Sequence, residues 1–337
     1  MSGDALNIMF KRQRGQSAPR AEKAGRGKAA TTIGLGIDAR AVLVASPYAM
    51  TLRQLYYALV SAGAIPKVEG SYSKLKTVMR DLREEGTIPW DWLVDHTRAV
   101  FQPRTFDGVE GLLTDSAKLY RTDLMRHQPV AIQLWAESDS IGSVIAQTAD
   151  RYCIPTFIGR GYSARGYLWA AAKDAVAATR AGKEVHILHV GDHDPSGEDI
   201  YRDVEETLRV YAMAIDHGLS AKTTRGYLAR EQADAADFTT WLVCERLALT
   251  AAQVEEYGLP ARPPKSTDVR TAKFTGVGSV EVEALPVGVL LKIVEEAILD
   301  RIDVRALEIE EVAEQSQRDI ARRIAATPVD RLLEASA

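Results

Sequence analysis

The sequence predicts a mixed protein of the α/β and α+β classes, in which a small N-terminal helical domain is followed by a parallel-sheet domain with a helical C-terminal extension. Two short apolar runs, at residues 131–136 and 185–190, are typical of strands buried in a parallel sheet, and acidic residues follow each run. Residues 51–60 instead repeat their apolar positions with the period of an α-helix. These patterns predict a helix before the sheet and acidic residues at the ends of the strands of the sheet.

The composition is that of a globular chain with room for two domains. Of 337 residues, 46% are hydrophobic and 26% are charged, and the formal net charge is −4. The two cysteines, Cys153 and Cys244, lack the spacing of a zinc site, and no apolar run is long enough to cross a membrane. We therefore expect an intracellular protein without a membrane partner.

Residues 1–40 are predicted to be a disordered basic arm. Lys and Arg recur there among Gly, Ala and Ser, and few apolar residues precede Thr32. Such an arm could bind nucleic acid by counterion release, or it could only keep the chain soluble. The residues leave both interpretations open.

The segment 51–60 is predicted to be an amphipathic helix. At about 100° per residue its apolar positions form one stripe, made of Leu52, Leu55, Tyr56, Leu59 and Val60. Arg53 and Tyr57 lie together on the flank of this stripe, four residues apart. Tyr56 should therefore belong to the core, whereas Tyr57 should be accessible.

A second helix, over residues 72–83, is predicted to carry a basic face opposite its apolar stripe. The basic residues are Lys74, Lys76, Arg80 and Arg83. Residues 86–93 favour a short aromatic hairpin. The order helix, basic helix and hairpin is that of a winged-helix domain, which we expect over residues 41–127, with the basic helix facing DNA. Basic residues opposite a core stripe are also often only a solvated surface.

The acidic residues that follow the two predicted strands are expected to form a metal site. Glu137 follows the first strand. Asp192 and Asp194 follow the second, and side chains two residues apart on an extended chain point to the same side. Carboxylates are the ligands that Mg²⁺ and Mn²⁺ prefer. The alternative is a simple surface turn, because Asp, Pro, Ser and Gly in the segment 192–197 all favour turns.

The rest of the domain expected over residues 128–337 is less informative. Residues 152–158 are predicted to be a strand, and Arg160 in the following loop could contact a phosphate. On an extended chain His186 and His189 face opposite sides, and His193 faces away from Asp192 and Asp194, so that a tetrahedral histidine site is not expected. Two amphipathic helices are predicted at the C-terminal end, at residues 287–302 and 304–324.

A strand ending in Glu137, followed by a later strand ending in Asp-x-Asp-x-x-Gly, resembles the Toprim domain of topoisomerases, bacterial-type primases and related nucleases. The segment Asp-His-Asp-Pro-Ser-Gly at 192–197 is most similar to the Toprim domain of topoisomerase VI A subunits and their meiotic double-strand-break relatives. Those proteins carry an Arg-x-x-Tyr/Phe-Tyr motif on a winged-helix domain, and Arg53 and Tyr57 match its arginine and its nucleophilic tyrosine. The resemblance covers about residues 50–300. Within this superfamily the chain looks like a minimal relative of the actinobacterial or phage type.

The resemblance implies a magnesium-dependent enzyme that cleaves double-stranded DNA. Tyr57 would attack a phosphodiester to form a tyrosyl–DNA link, Arg53 would stabilise the transition state, and the acids at 137, 192 and 194 would bind Mg²⁺ or Mn²⁺. The tyrosine of one protomer would meet the metal of the other, which implies a homodimer. Strand passage would need a separate ATPase of the B-subunit type, and the expected location is the cytoplasm, in association with the nucleoid.

Two alternatives remain open at this stage. A Toprim nuclease would use the same three acids to hydrolyse DNA with metal-activated water, and Tyr57 would then be structural. A non-catalytic DNA-binding protein would keep the fold without cleaving. The intact acidic trio argues against the second alternative.

Overall fold

The computed structural model describes residues 30–94, 103–161, 163–263, 274 and 278–328. Within them the chain has mixed α/β structure, with helices packed around parallel strands. None of the helices in these ranges is both long and apolar enough to span a membrane.

The first unit of the fold consists of three helices: α1 (Ala30–Ala45), α2 (Leu52–Ser61) and α3 (Glu69–Glu84). Helix α2 begins at a capping box, in which Thr51 and Gln54 each accept a hydrogen bond from the backbone N–H of the other. The short strands β1 (Met50–Thr51) and β2 (Leu93–Val94) pair in parallel beside these helices.

The main sheet has four strands: β3 (Val130–Ala136), β4 (Thr156–Ile158), β5 (Glu184–Val190) and β6 (Leu242–Ala248). All are parallel, in the order β4-β3-β5-β6. Ala136 and Val190 are paired at the ends of β3 and β5, and the N–H of Glu137 donates to the carbonyl of Val190 at 3.1 Å. The two strands therefore deliver the residues that follow them to one place at the carboxyl edge of the sheet.

The elements around the sheet are helices: α4 (Val109–Leu119), α5 (Asp139–Arg151), α6 (Arg165–Arg180), α7 (Pro195–Asp216), α8 (Ala221–Glu231), α9 (Ala251–Glu256), α10 (Val287–Leu299) and α11 (Val304–Ala325). One core lies between the sheet and helices α6 and α7 and contains Ile187. The larger core lies on the other face, contains Leu188, and continues without a break into α1–α3. The N-terminal helices and the sheet are therefore held together by one apolar interior.

Helix α4 lies with the C-terminal helix rather than with α1–α3. After α4, the N–H of Thr122 donates to a carboxylate oxygen of Glu314 at 3.0 Å, and Arg318 donates to the carbonyl of Tyr120 at 2.9 Å. These bonds tie the end of the segment expected to form the first domain to α11.

The boundary expected for the basic arm is too late. The arm was placed over residues 1–40, but Ala30 begins α1, in which Leu35 and Ala39 are buried. A helix whose positions four residues apart are buried is held by packing, even where its glycines lower its intrinsic propensity. Residues 1–29 lie outside the described residues.

Residues 86–93 were expected to begin the aromatic hairpin of the wing, and they contain no strands paired with each other. A 3₁₀ turn at Trp90–Trp92 leads into β2, which pairs in parallel with β1 instead of folding back on itself. Arg83 stacks on the ring of Trp90 and donates to two carbonyl oxygens of this segment, which fixes it against α3. The continuation, residues 95–102, lies outside the described residues.

The strand predicted over residues 152–158 is shorter than expected and is confined to β4. Cys153 has a left-handed backbone with φ of 57°, and Pro155 has no N–H to donate to a neighbouring strand. The two predicted strands on either side of it, at β3 and β5, and both C-terminal helices are confirmed.

Candidate active site

The three acids singled out in the sequence lie at the carboxyl edge of the sheet, Glu137 after β3 and the two aspartates in the loop after β5. Glu137 accepts a hydrogen bond from the N–H of Asp192 at 3.0 Å through Oε2. Asp194 is the N-cap of α7 and accepts a hydrogen bond from the N–H of Gly197 at 2.7 Å through Oδ1. The loop after β5 is thus bonded to the end of β3 and to the start of α7.

Glycine is required at one position for the loop to close this tightly. A Cβ at Gly197 would lie 2.2 Å from the carbonyl oxygen of Asp192, which belongs to the backbone and cannot move aside. A Cβ at Gly191 would lie 2.7 Å from Oε2 of Glu137, so that a side chain there would displace this carboxylate.

Arg246, on the neighbouring strand β6, binds the backbone of the same loop. Its guanidinium donates to the carbonyl of Gly197 at 3.0 Å and to the carbonyl of Asp192, and Nε donates to the carbonyl of Leu249 at 3.2 Å. Sequence reasoning did not identify this arginine as part of the site. It places one partly buried positive charge beside the acids.

The segment 279–284 joins this loop to the N-terminal helices. The N–H of Val282 donates to Oδ1 of Asp192 at 2.9 Å. Val280 and His193 exchange two backbone hydrogen bonds, both of 2.9 Å. One short segment therefore fixes both the backbone after β5 and the side chain of Asp192.

Two acidic residues of the segment 279–284 point to different neighbours. Glu281 forms an ion pair with Arg53 of α2, with an N–O distance of 2.9 Å. Glu283 is buried and accepts a hydrogen bond from the hydroxyl of Ser140 at 2.7 Å. Neither residue was singled out in the sequence, since no local pattern marks a segment that functions by bridging distant elements.

Burial and mutual repulsion perturb the carboxylates. Burial, and then the charges of Glu137 and Glu283, raise the pKa of Asp192 well above its ordinary value. Burial also raises the pKa of Glu137 and that of Glu283. A cluster of this kind is stabilised when a proton or a cation reduces its negative charge.

The chemistry of the acids fits a hard divalent cation. Glu137, Asp192 and Asp194 each use one carboxylate oxygen for a backbone N–H and keep the other for a further ligand. As the side chains are placed, no group of three acids, histidines or cysteines in the described part of the chain is close enough to hold an ion. A cation would have to draw the second oxygens together.

Helix α2 faces the acidic loop across a cavity of about 410 Å³. Its lining includes Arg53, Tyr57, Lys67, Asp192, Asp194 and Arg262. Glu281, from the bridging segment, also lines it. The two residues that sequence analysis placed on one flank of α2 and the two aspartates that it placed after β5 thus line the same space.

Tyr57 is not accessible, contrary to the expectation from the helical period. It is 2% exposed, and its neighbour Tyr56 is 3% exposed. The ring of Tyr57 packs edge to face against Tyr56, with centroids 5.2 Å apart, and the ammonium of Lys67 lies 5.2 Å from its centroid. The period of one helix assigns this flank to the outside, but the rest of the fold covers it.

The surroundings of Tyr57 keep its phenol protonated. Burial raises its pKa above the ordinary value, and the neighbouring carboxylate of Glu281 raises it further. The charges of Arg262 and Arg53 act in the opposite direction. A phenol in this state needs a proton acceptor before it can act as a nucleophile.

Two cations of the cavity were not identified from the sequence. Lys67 donates to the carbonyl of Pro260, and Arg262 donates to the hydroxyl of Tyr56 at 3.3 Å. Burial, and then the charge of Arg262, lower the pKa of Lys67 to about 8. Lys67 and Pro260 are 193 positions apart, so that only the folded chain brings these residues together.

The basic face of α3 is partly available to a ligand. Lys74, Lys76 and Arg80 are exposed, and Arg80 forms an ion pair with Asp81 at 2.7 Å. Lys76 and Arg80 line a second cavity of about 550 Å³ that extends to Arg53. Arg53 therefore lines both cavities.

Two of the predicted phosphate contacts have structural partners. Arg83 also lines the second cavity, but its guanidinium is engaged with the segment around Trp90. Arg160 is exposed and forms an ion pair with Asp139 at 2.9 Å.

The histidines near the acids are packing residues. His189 and His193 are buried, and one ring nitrogen of each has no hydrogen-bond partner among the residues described. The ring of His193 lies 5.1 Å from that of Phe274 and 3.6 Å from a carboxylate oxygen of Glu198. His193 was expected either to pack or to contact a phosphate, and its burial favours packing.

No protein-family model matches the sequence, and no curated protein matches it. The function is therefore proposed from the residues, their geometry and the resemblance of the sequence motifs.

Proposed function

We propose that this protein is a metal-dependent DNA-cleaving enzyme that resembles the topoisomerase VI A subunit, in which Tyr57 attacks a phosphodiester and becomes linked to the DNA. The observation that carries the proposal is the shared cavity: Arg53 and Tyr57 line it together with Asp192 and Asp194. A nucleophile, a fixed positive charge and carboxylates around one space are the groups that phosphodiester cleavage requires.

In this proposal α1–α3 form a winged-helix domain and the four-stranded sheet with its helices forms a Toprim domain. The parallel pairing of β3 and β5, with acids following both strands, supports the second assignment. The Arg-x-x-Tyr-Tyr sequence on a capped helix, followed by a helix with a basic face, supports the first.

Glu137, Asp192 and Asp194 would hold Mg²⁺, or Mn²⁺ in its place, through the carboxylate oxygens that the backbone does not use. The ion would neutralise negative charge that develops on the phosphate and on the leaving oxygen. Glu283 would strengthen the attraction for a cation, because it is buried and its charge acts on Asp192.

The proposed step transfers a proton from Tyr57 to Glu281, a carboxylate that lines the same cavity and acts on the pKa of the phenol. The phenolic oxygen forms a bond to phosphorus, the bond from phosphorus to the leaving deoxyribose oxygen breaks, and that oxygen takes up a proton from water. Arg53, paired with Glu281 at 2.9 Å, stabilises negative charge on the phosphate.

Double-stranded DNA is the proposed substrate, bound along α3. Lys74, Lys76 and Arg80 would bind backbone phosphates, and the second cavity would lead the DNA to Arg53. Because the net charge of the chain is −4, binding would depend on this local basic surface rather than on the charge of the whole protein.

The proposed assembly is a homodimer in which each protomer cuts one strand. The resemblance implies that the tyrosine of one protomer meets the metal of the other. Because Tyr57 and the aspartates line one cavity within a single chain, we propose instead that each protomer carries a complete site. Strand passage would still require an ATPase from another chain.

A hydrolytic nuclease is the second candidate, and the state of Tyr57 favours it. The side chain is 2% exposed, and burial raises the pKa of its phenol. In a nuclease, water would attack the phosphodiester and Tyr57 would serve only to pack α2 against the bridging segment.

The proposal is tested by incubating the protein with end-labelled supercoiled and linear DNA and Mg²⁺ or Mn²⁺, followed by denaturation without protease. We expect the label to migrate with the protein, to be lost in Tyr57→Phe, and to be retained in Tyr211→Phe, a buried tyrosine of α7 outside the cavity. Cutting without labelled protein would support the nuclease instead. DNA binding without cutting would support a non-catalytic role and contradict both enzymatic proposals.

A further inference from the structure

We propose that Lys67 and Arg262 form a binding site for a phosphate of the DNA backbone, next to the phosphate that Tyr57 attacks. This inference rests on the proposed function, because it takes DNA as the ligand of the Tyr57 cavity. It adds to that site two positioning residues that belong neither to the tyrosine motif nor to the acidic loop.

Among the described residues Lys67 has no carboxylate within ion-pair distance, although the charge of Glu281 acts on its pKa. Its ammonium donates to the carbonyl of Pro260 and lies 5.2 Å from the ring centroid of Tyr57, and both of these partners are neutral. Arg53, by contrast, is paired with Glu281 at 2.9 Å. Arg53 therefore already has an anionic partner, whereas Lys67 can attract a new anion into the cavity.

Arg262 is fixed in position but lacks an acceptor for one donor. Its backbone N–H and carbonyl both bond to Ser279, at 3.0 and 2.6 Å, and Nη2 donates to the hydroxyl of Tyr56 at 3.3 Å. Its Nε is buried and has no hydrogen-bond partner among the residues described. A buried donor without an acceptor is costly. Because the side chain of Arg262 also lines the cavity, a phosphate bound there would give the guanidinium a charged acceptor.

The cavity offers space for such a phosphate beside the reacting one. Its volume of about 410 Å³ is within the range of roughly 300–1,000 Å³ typical of small-ligand sites. Since Lys67 contacts the ring of Tyr57, a phosphate bound there would place the next phosphodiester of the strand near the phenol. Holding one phosphate in this way orients its neighbour for attack.

The test compares wild-type protein with a variant carrying both Lys67→Ala and Arg262→Ala. Binding of a short labelled duplex is measured at several salt concentrations in EDTA, so that nothing is cut. Loss of one phosphate contact should lower the magnitude of the slope of log affinity against log salt by about 0.9. With Mg²⁺ and saturating DNA, the variant should also form the adduct on the order of 10-fold more slowly or worse.

Matched variants separate this role from a structural one. Lys183 is also a partly buried lysine that donates to a backbone carbonyl, that of Met125, but it lies just before β5 at the other end of the sheet. Lys183→Ala should keep the wild-type slope, and the charge-conserving pair Lys67→Arg with Arg262→Lys should recover it. Melting curves verify that each variant is folded.

The inference is overturned if the double alanine variant is folded and keeps both the wild-type salt slope and the wild-type adduct rate. The two readouts also separate this inference from the proposed function. A reduced slope in a protein that forms no adduct would retain the phosphate site and remove the tyrosine chemistry. If the double variant forms the adduct at the normal rate and keeps the wild-type slope, the tyrosine chemistry is retained and the phosphate site is removed.

Discussion

Replacing Arg53 with Ala should reduce cleavage far more than stability. Its ion pair with Glu281 is short, at 2.9 Å, but the two side chains are 50% and 30% exposed. Pairs open to water contribute about 0–1 kcal/mol, because solvent screens them and ordering two side chains costs entropy. We therefore expect the melting temperature to fall by no more than about 2–4 °C.

The same substitution removes a fixed positive charge beside the reacting phosphate. Removing one such group typically lowers a rate by about 10²–10³-fold, which corresponds to about 2.7–4 kcal/mol of transition-state stabilisation. The assay is single-turnover formation of the protein–DNA adduct with Arg53→Ala, together with melting curves of the same preparations. The prediction is a large loss of rate in a protein that is still folded at the assay temperature.

Arg180→Ala is a matched control for this experiment. Arg180 pairs with Asp216 at 3.2 Å, the two side chains are 58% and 37% exposed, and the pair lies at the end of α6. This variant should show a similarly small change in melting temperature and wild-type cleavage. Wild-type cleavage by Arg53→Ala, or a loss of activity that only follows unfolding, would refute the reasoning.

Three further predictions concern the acids, the assembly and a buried histidine. Mg²⁺ at about 100 times its dissociation constant should stabilise the wild-type protein by about 2.7 kcal/mol, and Asp192→Asn should abolish the corresponding rise in melting temperature; an undiminished rise would place the metal elsewhere. Mixing Tyr57→Phe protein with Asp192→Ala protein should not restore adduct formation, because both residues line one cavity of the same chain; restoration would show that protomers share their sites. Burial lowers the pKa of His189 from 6.5 to about 3, so that the folded state resists its protonation: stability from this group is complete above about pH 6.5 and is lost as the pH falls toward 3. Denaturant unfolding over about pH 7 to 4 should show this decline, and His189→Leu should flatten it; equal slopes in both proteins would contradict the assignment.

The local patterns of the sequence were sufficient to predict the position of the acidic loop. The strands before Glu137 and Asp192 are short and apolar, and parallel strands end at a common edge, so that their order and spacing predict neighbouring carboxylates. The stripe of α2 was also predictable, since Leu55 and Leu59 are buried as the helical period requires.

Strand β6 was not predicted because it carries charges in its interior. Glu245 bonds to Arg301 of the C-terminal region, and Arg246 bonds to the acidic loop. These charges are satisfied by groups distant in sequence, and a pattern based on apolar runs misses such a strand.

The cover over Tyr57 was not predictable for a related reason. The residues that enclose its cavity, Lys67, Arg262 and Glu281, come from three separate segments. Each of these segments is polar and irregular when taken alone, and the contacts between them depend on how the N-terminal helices pack onto the sheet. The reactive residues on both sides of the cavity could therefore be predicted from the sequence, but the residues that enclose it could not.

The central claim, that Tyr57 is the nucleophile, is tested most directly by locating the nucleotide on the protein. The adduct is digested with nuclease and then with trypsin, and cleavage after Arg53 and Lys67 yields one peptide that contains both Tyr56 and Tyr57. Fragmentation of this peptide by mass spectrometry should place the nucleotide phosphate on Tyr57. A nucleotide on Tyr56 or on any other residue, or unmodified peptide from protein that has cut its DNA, would contradict the account.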